Sequence, residues 1–176
     1  MGIERPDSGD PGSDLVVRPA RPVEFDEVAR LVVAAYSAGG HLEAADGYAA
    51  VLGDVAGRAE LHPVLVAERA GALVGSVTLT PPGTPLSKDA GPEEYEFRFL
   101  GVAPEAWGTG VAEALVAACE GRARSAGAAR MVISVIDWNE AGLRLYERLG
   151  YHRVPERDRR PAPTVVLCAL AKELTA

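Results

Sequence analysis

The stretch "GVAPEAWGTGVAEALVAACE", residues 101–120, places two glycines around one threonine directly before an alanine-rich helical pattern. Glycine adopts backbone conformations that other residues avoid, and the first turn of a helix offers unpaired N–H groups. The turn Gly108-Thr109-Gly110 therefore has three interpretations: a plain loop, a nucleotide-binding fingerprint, or a cradle for another phosphate-bearing ligand. The rest of the chain decides between them.

The 176-residue chain has the composition of one ordinary globular domain, with 48% apolar and 24% charged residues. Residues 1–14 are the exception, because Gly, Pro, Ser and Asp dominate them and few apolar side chains offset the entropy of ordering. We therefore predict a disordered tail over residues 1–14 and a single folded domain over residues 15–176.

The charge distribution argues against polyanionic partners. Four acids and one arginine in the first 14 residues account for −3 of the net charge of −7, which leaves −4 for the domain. Nucleic-acid affinity rests largely on Lys and Arg, so neither DNA nor RNA is expected as a partner. No apolar run approaches the roughly 20 residues that span a bilayer, and no secretory signal is recognisable. We expect no membrane partner and a cytoplasmic location.

Hydrophobic periodicity predicts the element order β, α, α, β, β, β, α, β, α, β, β. This order indicates an α+β (α/β/α) domain, in which a mixed sheet of about seven strands carries helices on its faces. A polar loop rich in Arg and Pro separates the last two strands. The predicted strands are 15–18, 64–68, 73–80, 95–102, 131–136, 151–154 and 164–170, and the predicted helices are 22–37, 43–58, 111–127 and 139–149.

The two nucleotide-binding fingerprints lack residues that their chemistry requires. A Rossmann turn needs Gly or Ala at the sixth position counted from Gly108, where this chain has Glu113. A P-loop needs a lysine directly after its last glycine, and Gly110 is followed by Val111. An anion cradle made of glycines and helix N–H groups remains sound, with a plain loop as its alternative.

Two motifs of the chain carry a resemblance to a known family. In residues 96–115, a strand ending in V-x-P leads to a frame similar to [RQ]-x-x-G-x-[GA] and to a helix. Residues 137–151, "DWNEAGLRLYERLGY", are similar to N-x-x-A-x-x-L-Y-x-x-x-G-[FY]. These resemble the central motif and the second signature of the GNAT superfamily of acyl-CoA-dependent N-acyltransferases. The likeness covers roughly residues 15–172. In register with the second signature are Asn139, Gly142 (where alanine is usual), Leu145, Tyr146, Gly150 and Tyr151.

The resemblance implies a cosubstrate, acetyl-CoA, and no metal. It also implies a splay between strands 4 and 5, where backbone groups of Leu100, Gly101 and Val102 pair with the pantetheine arm of CoA. Asn139 is predicted first as a helix N-cap, and the resemblance implies that it also contacts CoA. Residues implied to hold the pyrophosphate are Trp107, Gly108, Thr109, Gly110, Val111 and Ala112. Trp107 departs from the family's usual Arg or Gln, which leaves weaker CoA binding and loss of catalysis both open.

Glu96 is the predicted general base. Acetyl transfer from a thioester requires a neutral amine, and many family members carry a catalytic Glu at this place. On an alternating strand Glu96 shares one face with Arg98, Leu100 and Val102. An ion pair with Arg98 is the alternative role of Glu96. Glu94 has the same parity and is the rival base.

Tyr146 lies where the family has a tyrosine that protonates the leaving thiolate or binds the CoA sulfur. Its ordinary pKa near 10 leaves it protonated at neutral pH, and core packing is its alternative role. The histidines at 41, 62 and 152 are expected on the surface or in loops, although position 41 falls in the helical region that lines the acceptor site in this fold.

The resemblance implies an N-acetyltransferase that transfers acetyl from acetyl-CoA directly to a primary amine in a ternary complex. The acceptor, a small molecule or a protein amine, stays open, and homodimers are common in this fold. A catalytically silent acyl-CoA-binding or regulatory module is the alternative, because of Trp107.

Overall fold

The computed structural model describes residues 14–44 and 46–174, so nearly all of the predicted tail over 1–14 lies outside the described residues. Eight strands form one sheet. The strands are β1 (Leu15–Pro19), β2 (Val64–Arg69), β3 (Ala72–Thr80), β4 (Glu94–Val102), β5 (Arg130–Ile136), β6 (His152–Arg153), β7 (Arg159–Ala162) and β8 (Val165–Glu173). The helices are α1 (Phe25–Ala38), α2 (Tyr48–Gly53), α3 (Val55–Ala59), α4 (Val111–Ser125) and α5 (Glu140–Arg148).

The sheet is mixed, as the sequence predicts. Its order is β1-β2-β3-β4-β5-β8-β6, and β7 pairs with β8 outside this path. Strands β4 and β5 are parallel, and the other pairs are antiparallel. Strand β7 raises the expected seven strands to eight. Its sequence, Arg-Arg-Pro-Ala, does not alternate apolar and polar residues, and Pro161 is tolerated because β7 pairs only with β8.

The predicted helix over residues 43–58 is wrong, because the chain breaks there into α2 and α3. Gly47 has φ of +78°, a left-handed conformation that starts α2 and does not continue a helix from the preceding turn. Asp54 then leaves the helical region, and its Oδ1 accepts a hydrogen bond of 3.0 Å from the Gly57 N–H. Asp54 is therefore the N-cap of α3.

Helices cover both faces of the sheet, which confirms the α/β/α arrangement. Helix α4 packs through Val111, Leu115 and Cys119 on one apolar core, to which α5 contributes Tyr146. Helix α1 packs on the opposite face in a second core that also holds residues of α2 and α3. Strand β4 serves both cores, because Phe97 belongs to the first and Phe99 to the second.

A bulge in β4 changes which residues share a face. Phe99 has φ of +55°, unusual for a bulky residue, and the pairing of β4 with β3 shifts register there. Beyond the bulge, Leu100 and Val102 pack against the same core as Phe97. The predicted common face is therefore wrong: Glu96 and Arg98 lie on the α1 side of the strand, and Leu100 and Val102 lie on the α4 side.

Candidate active site

Strands β4 and β5 separate after a short parallel contact. Glu94, Tyr95 and Glu96 pair with β5, and no later residue of β4 pairs with it in the described part of the chain. The Ala103 N–H donates to the Val74 carbonyl on β3 at 2.9 Å. Since backbone groups alternate in direction along a strand, the N–H and C=O of Val102 point away from β3, toward the gap. This gap is the splay expected between strands 4 and 5.

Gly101, also predicted to face the pantetheine arm, serves close packing of a helix. It pairs with Ser76 on β3, so its backbone groups are directed into the β3–β4 ladder. A Cβ at this position would lie 3.3 Å from the Ala35 Cβ and 3.4 Å from the Val32 Cα. Gly101 thus lets α1 approach β4 closely.

The glycine turn before α4 has the geometry of an anion cradle. Gly108 and Gly110 have φ of +70° and +84°, and a Cβ built on either would meet nothing within 4 Å. The Ala114 N–H donates to the Gly110 carbonyl at 3.1 Å and opens the helical ladder. The N–H groups of Val111 and Ala112 precede that bond and have no intrahelical partner. Open space, free donors and the helix dipole fit a phosphate at this turn.

Arg69, which sequence reasoning missed, holds this turn from β2. Its Nη1 donates to the Thr109 Oγ1 at 2.9 Å and its Nη2 to the Thr109 carbonyl at 3.1 Å. The Thr109 hydroxyl in turn donates to the Ala106 carbonyl at 2.7 Å. The contact spans 40 positions of sequence, so no local pattern signals it. It brings a guanidinium to a turn whose own motif lacks one.

Trp107 uses both of its N–H groups inside the protein. Its side chain is 51% exposed, and the indole Nε1 donates to the Val102 carbonyl at 2.8 Å. Its backbone N–H, predicted to reach a pyrophosphate, donates to the Pro104 carbonyl at 3.2 Å. The indole thus occupies an acceptor that faces the gap between β4 and β5.

Glu96 is a buried carboxylate held by three donors. Its residue is 1% exposed, and its Oε2 accepts from the backbone N–H groups of Lys88 at 3.0 Å and Asp89 at 3.2 Å. Its Oε1 accepts from Arg98 Nη1 at 3.1 Å, so the predicted alternative, an ion pair with Arg98, is present. Burial nevertheless raises the pKa of Glu96 against the opposing effect of Arg98. A raised pKa makes this carboxylate a stronger proton acceptor.

Glu94 has the opposite electrostatics. Its carboxylate accepts from the two Nη atoms of Arg157 at 3.0 and 2.6 Å and from the Gly91 N–H at 2.7 Å. These contacts, the Arg157 hydrogen bonds first, lower the pKa of Glu94. A carboxylate that prefers to stay ionised is the weaker base of the two.

The loop between β3 and β4 is fastened by arginines that the sequence predicts as part of a solvated loop. Asp89 forms an ion pair with Arg159 and accepts from the Ser134 hydroxyl at 2.6 Å. Arg157 contacts the Asp89 carbonyl in addition to Glu94. This loop therefore covers Glu96 and is tied to β5, to β7 and to the segment before β7.

Tyr146 has the core packing predicted as its alternative role. Its ring lies in the α4-side core, with centroids 5.9 Å from Phe97 and 5.8 Å from Tyr151. Burial raises the pKa of Tyr146 well above its ordinary value, so the hydroxyl stays protonated at neutral pH. Asn139 is an N-cap as predicted, since its Oδ1 accepts from the Gly142 N–H at 3.0 Å.

An aromatic cluster joins α1 to the loop before α5. His41 stacks on Trp138 with ring centroids 4.8 Å apart and lies 5.5 Å from Tyr36, which is 5.9 Å from Tyr48. Burial lowers the pKa of His41 and favours its neutral form. His62 lies in the loop between α3 and β2, in agreement with the prediction of a surface or loop position, and it is buried there, with 4% of its surface exposed.

Metal and membrane features are absent from the described residues. In residues 14–44 and 46–174, no three or more His, Cys, Asp or Glu side chains are grouped to hold a metal ion. No helix in this part of the chain has the length and apolarity that a membrane crossing requires.

Comparison with known proteins agrees with the fold and the motifs. The acetyltransferase (GNAT) family matches residues 26–151, more than half of the chain, so this protein belongs to the GNAT acetyltransferase family. Among curated proteins, none matches the sequence.

Solved structures of similar fold include proteins that hold the cosubstrate. A candidate acetyltransferase of the GNAT family from Desulfovibrio desulfuricans has a TM-score of 0.72 at 19% identity, covering 92% of this chain and 99% of its own. The structure of yncA, a candidate acetyltransferase from Salmonella typhimurium with acetyl-CoA, has a TM-score of 0.66 at 21% identity, covering 93% and 95%. An aminoglycoside 6'-N-acetyltransferase complexed with coenzyme A has a TM-score of 0.69 at 16% identity, covering 92% and 98%. At these identities the likeness concerns the fold.

Proposed function

We propose that this protein transfers an acetyl group from acetyl-CoA to a primary amine by direct attack in a ternary complex. The observation that carries the proposal is the position of two groups at the gap. Glu96 and Tyr146 lie on opposite sides of β4, where its pairing with β5 ends. A thioester in this gap is flanked by a base on the α1 side and a proton donor on the α4 side.

The donor half is made largely of backbone groups. The turn formed by Gly108 and Gly110, with the free N–H groups at the start of α4, fits the pyrophosphate of acetyl-CoA. The backbone of Val102, directed into the gap, fits the pantetheine arm. Acetyl-CoA supplies the activated acetyl thioester. Arg69 fixes the turn and adds positive charge beside it.

The protein groups account for the proton movements of acetyl transfer. The amine nitrogen forms a bond to the acetyl carbonyl carbon, the carbon–sulfur bond breaks, and the amine proton passes to Glu96 directly or through water. Tyr146 donates a proton to the departing thiolate. Burial raises the pKa of both groups, so Glu96 accepts a proton more readily and Tyr146 enters the reaction protonated, as a hydrogen-bond donor to the departing sulfur.

Two measurements test the proposal. Isothermal titration should show acetyl-CoA binding at micromolar concentration. A panel of amines with colorimetric detection of free CoA thiol should then show acceptor-dependent release. Lack of acetyl-CoA binding at high micromolar concentration would refute acetyl-CoA as the donor.

A second candidate function is a catalytically silent acyl-CoA-binding module. The hydrogen bond from the Trp107 indole to the Val102 carbonyl favours it, because this bond occupies a group proposed for the pantetheine arm. Acetyl-CoA binding without thiol release across the whole amine panel would support the silent module over the enzyme.

A further inference from the structure

Arg58 on α3 is a buried guanidinium that has only neutral partners. The residue is 7% exposed. Its Nε donates to the Thr78 hydroxyl at 3.1 Å, and its Nη1 donates to the carbonyls of Leu52 at 2.8 Å and Val51 at 3.3 Å. Its Nη2 is buried and has no hydrogen-bond partner among the described residues. One arm of this cation thus lacks an acceptor.

The charge of Arg58 is only partly offset, by the carboxylate of Asp54 at longer range. Burial lowers the pKa of Arg58, but a guanidinium stays protonated in proteins. The nearby acid, Asp54, caps α3 through the Gly57 N–H and forms no ion pair with Arg58. Burying a cation without an anionic partner costs several kcal/mol in general. An anion that joins the site from outside the chain would offset this cost.

A second arginine shares the same aromatic platform. The Cζ atoms of Arg58 and Arg98 lie 4.9 and 5.5 Å from the centroid of the Phe99 ring. Arg98 Nη1 donates one hydrogen bond to Glu96 Oε1 at 3.1 Å and one to the Leu86 carbonyl at 3.4 Å. Two guanidinium groups therefore flank Phe99, while Glu96 is the carboxylate that contacts one of them. The bulge turns Phe99 to the α1 side, where its ring belongs to the second core and contacts both cations.

Two tyrosines border this region from the helices. Tyr36 and Tyr48 pack in the second core with Phe99, and their rings are 5.9 Å apart. Burial raises the pKa of Tyr36 first, and the neighbouring hydroxyls of Tyr48 and Tyr146 raise it further. Burial also raises the pKa of Tyr48, so both hydroxyls stay protonated at neutral pH and can donate hydrogen bonds.

We propose that the acceptor is an amine that also carries a carboxylate, of the class of free α-amino acids, with the carboxylate bound by Arg58 and Arg98. This inference rests on the proposed acetyl transfer. Arg98 Nη1 lies 3.1 Å from Glu96 Oε1, so one of the two arginines is adjacent to the proposed base. An α-amino acid carries its amine and its carboxylate on the same carbon, and two groups held so close together match a site in which the base and a guanidinium are neighbours. The carboxylate stays unchanged, and the products are an N-acetylamino acid and CoA.

Matched acceptor pairs test the inference. The probes are the common L-amino acids, each compared with the amine that lacks its carboxylate, at saturating acetyl-CoA with thiol detection. The amino acids should have kcat/KM values roughly 10- to 100-fold higher than their decarboxylated partners, the range expected for charged hydrogen bonds. Equal kcat/KM values for the amino acids and their decarboxylated partners would overturn the inference. So would a protein that binds acetyl-CoA but acetylates no amino acid, and neither result would affect acetyl-CoA as the bound cosubstrate. Failure to bind acetyl-CoA would instead refute the proposed function.

Two variants locate the carboxylate. Arg58→Met and Arg98→Met should each reduce the preference for amino acids over decarboxylated amines at least 5-fold, with the Kd for acetyl-CoA unchanged. Arg98 is partly exposed, so its variant keeps the test available if Arg58→Met fails to fold. Arg30→Met, on the exposed surface of α1, is the matched control and should keep the full preference. A preference that both folded variants retain would contradict the assignment.

Discussion

The two halves of the candidate site are built from different parts of the chain. The proposed donor half consists of backbone N–H and C=O groups between Val102 and Ala112, a run of adjacent residues. The proposed acceptor half consists of side chains from α1, α2, α3 and β4 and of backbone N–H groups from the loop before β4, brought together only by the fold. A short motif thus encodes the donor half, while long-range packing determines the acceptor half. Substitutions in the two halves should accordingly separate binding of acetyl-CoA from turnover.

The largest effect is expected for Glu96→Gln in the acceptor half. Loss of the base should lower kcat by roughly 100-fold or more, while the Kd for acetyl-CoA stays unchanged. The control is Glu93→Gln, an exposed position three residues earlier, which should keep the wild-type rate. A wild-type kcat in Glu96→Gln would contradict Glu96 as the general base and would assign that role to Glu94 or to water.

The same carboxylate predicts the pH dependence of turnover. Because burial raises the pKa of Glu96, the acid limb of kcat/KM should lie above the range of an ordinary glutamate. Activity should fall as the pH drops through this pKa, since a protonated carboxyl cannot accept the amine proton. Glu96→Gln should remove that limb in a profile measured under single-turnover conditions. A limb that persists in the variant belongs to another group.

Tyr146→Phe should give the next largest effect. The variant keeps the ring that packs on Phe97 and Tyr151 and removes the proton donor. Because a thiolate is a weakly basic leaving group, kcat should fall only about 10-fold, less than for the base. Thermal unfolding should be close to wild type, which separates this result from loss of core packing. An unchanged kcat would leave Tyr146 as a core residue alone.

Gly110 in the donor half and Gly121 inside α4 separate backbone strain from helix propensity. Gly110→Ala places a side chain at φ of +84° and should cost about 1 kcal/mol, with a several-fold rise in the Kd for acetyl-CoA. Gly121→Ala, at an exposed position inside α4 with nothing within 4 Å of its Cβ, should instead stabilise the protein by about 0.5 to 1 kcal/mol. Urea unfolding and titration with acetyl-CoA measure both quantities. Equal responses of the two variants would contradict a conformational role for Gly110.

The fold and the conformation of the glycine turn could be predicted because they depend on local patterns. The apolar runs of β2 to β5, the cap at Asn139 and the glycine turn all act within a few residues. The helix predicted over 43–58 failed where Gly47 takes a left-handed conformation, which apolar periodicity does not reveal. The shared face on β4 failed for a related reason, since the bulge at Phe99 reverses the alternation without any change in composition.

The acceptor half was less accessible from the sequence because its partners are far apart. The Arg157–Glu94 and Arg159–Asp89 pairs span 63 and 70 positions, and the arginines lie in a segment that reads as a solvated loop. The sequence predicts Arg58 only as the last residue of the helix over 43–58. Its burial depends on the position of α3 against the sheet, which no local pattern encodes. A single charged residue carries no sequence signal of whether its partner is a carboxylate, a carbonyl or a ligand.

The smallest effect is expected at Trp107, where the proposed donor half departs from the Arg or Gln that is usual in the family. Trp107→Phe keeps an aromatic ring and removes the N–H that donates to the Val102 carbonyl. If that bond competes with the pantetheine arm, the variant should bind acetyl-CoA roughly 3- to 10-fold more tightly, the range of one hydrogen bond. Trp138→Phe, the other half-exposed tryptophan, lies in the aromatic cluster of the acceptor side and should leave this Kd unchanged. Weaker binding by Trp107→Phe would mean that the indole supports the gap, and equal changes in both variants would remove the distinction between the two halves at this position.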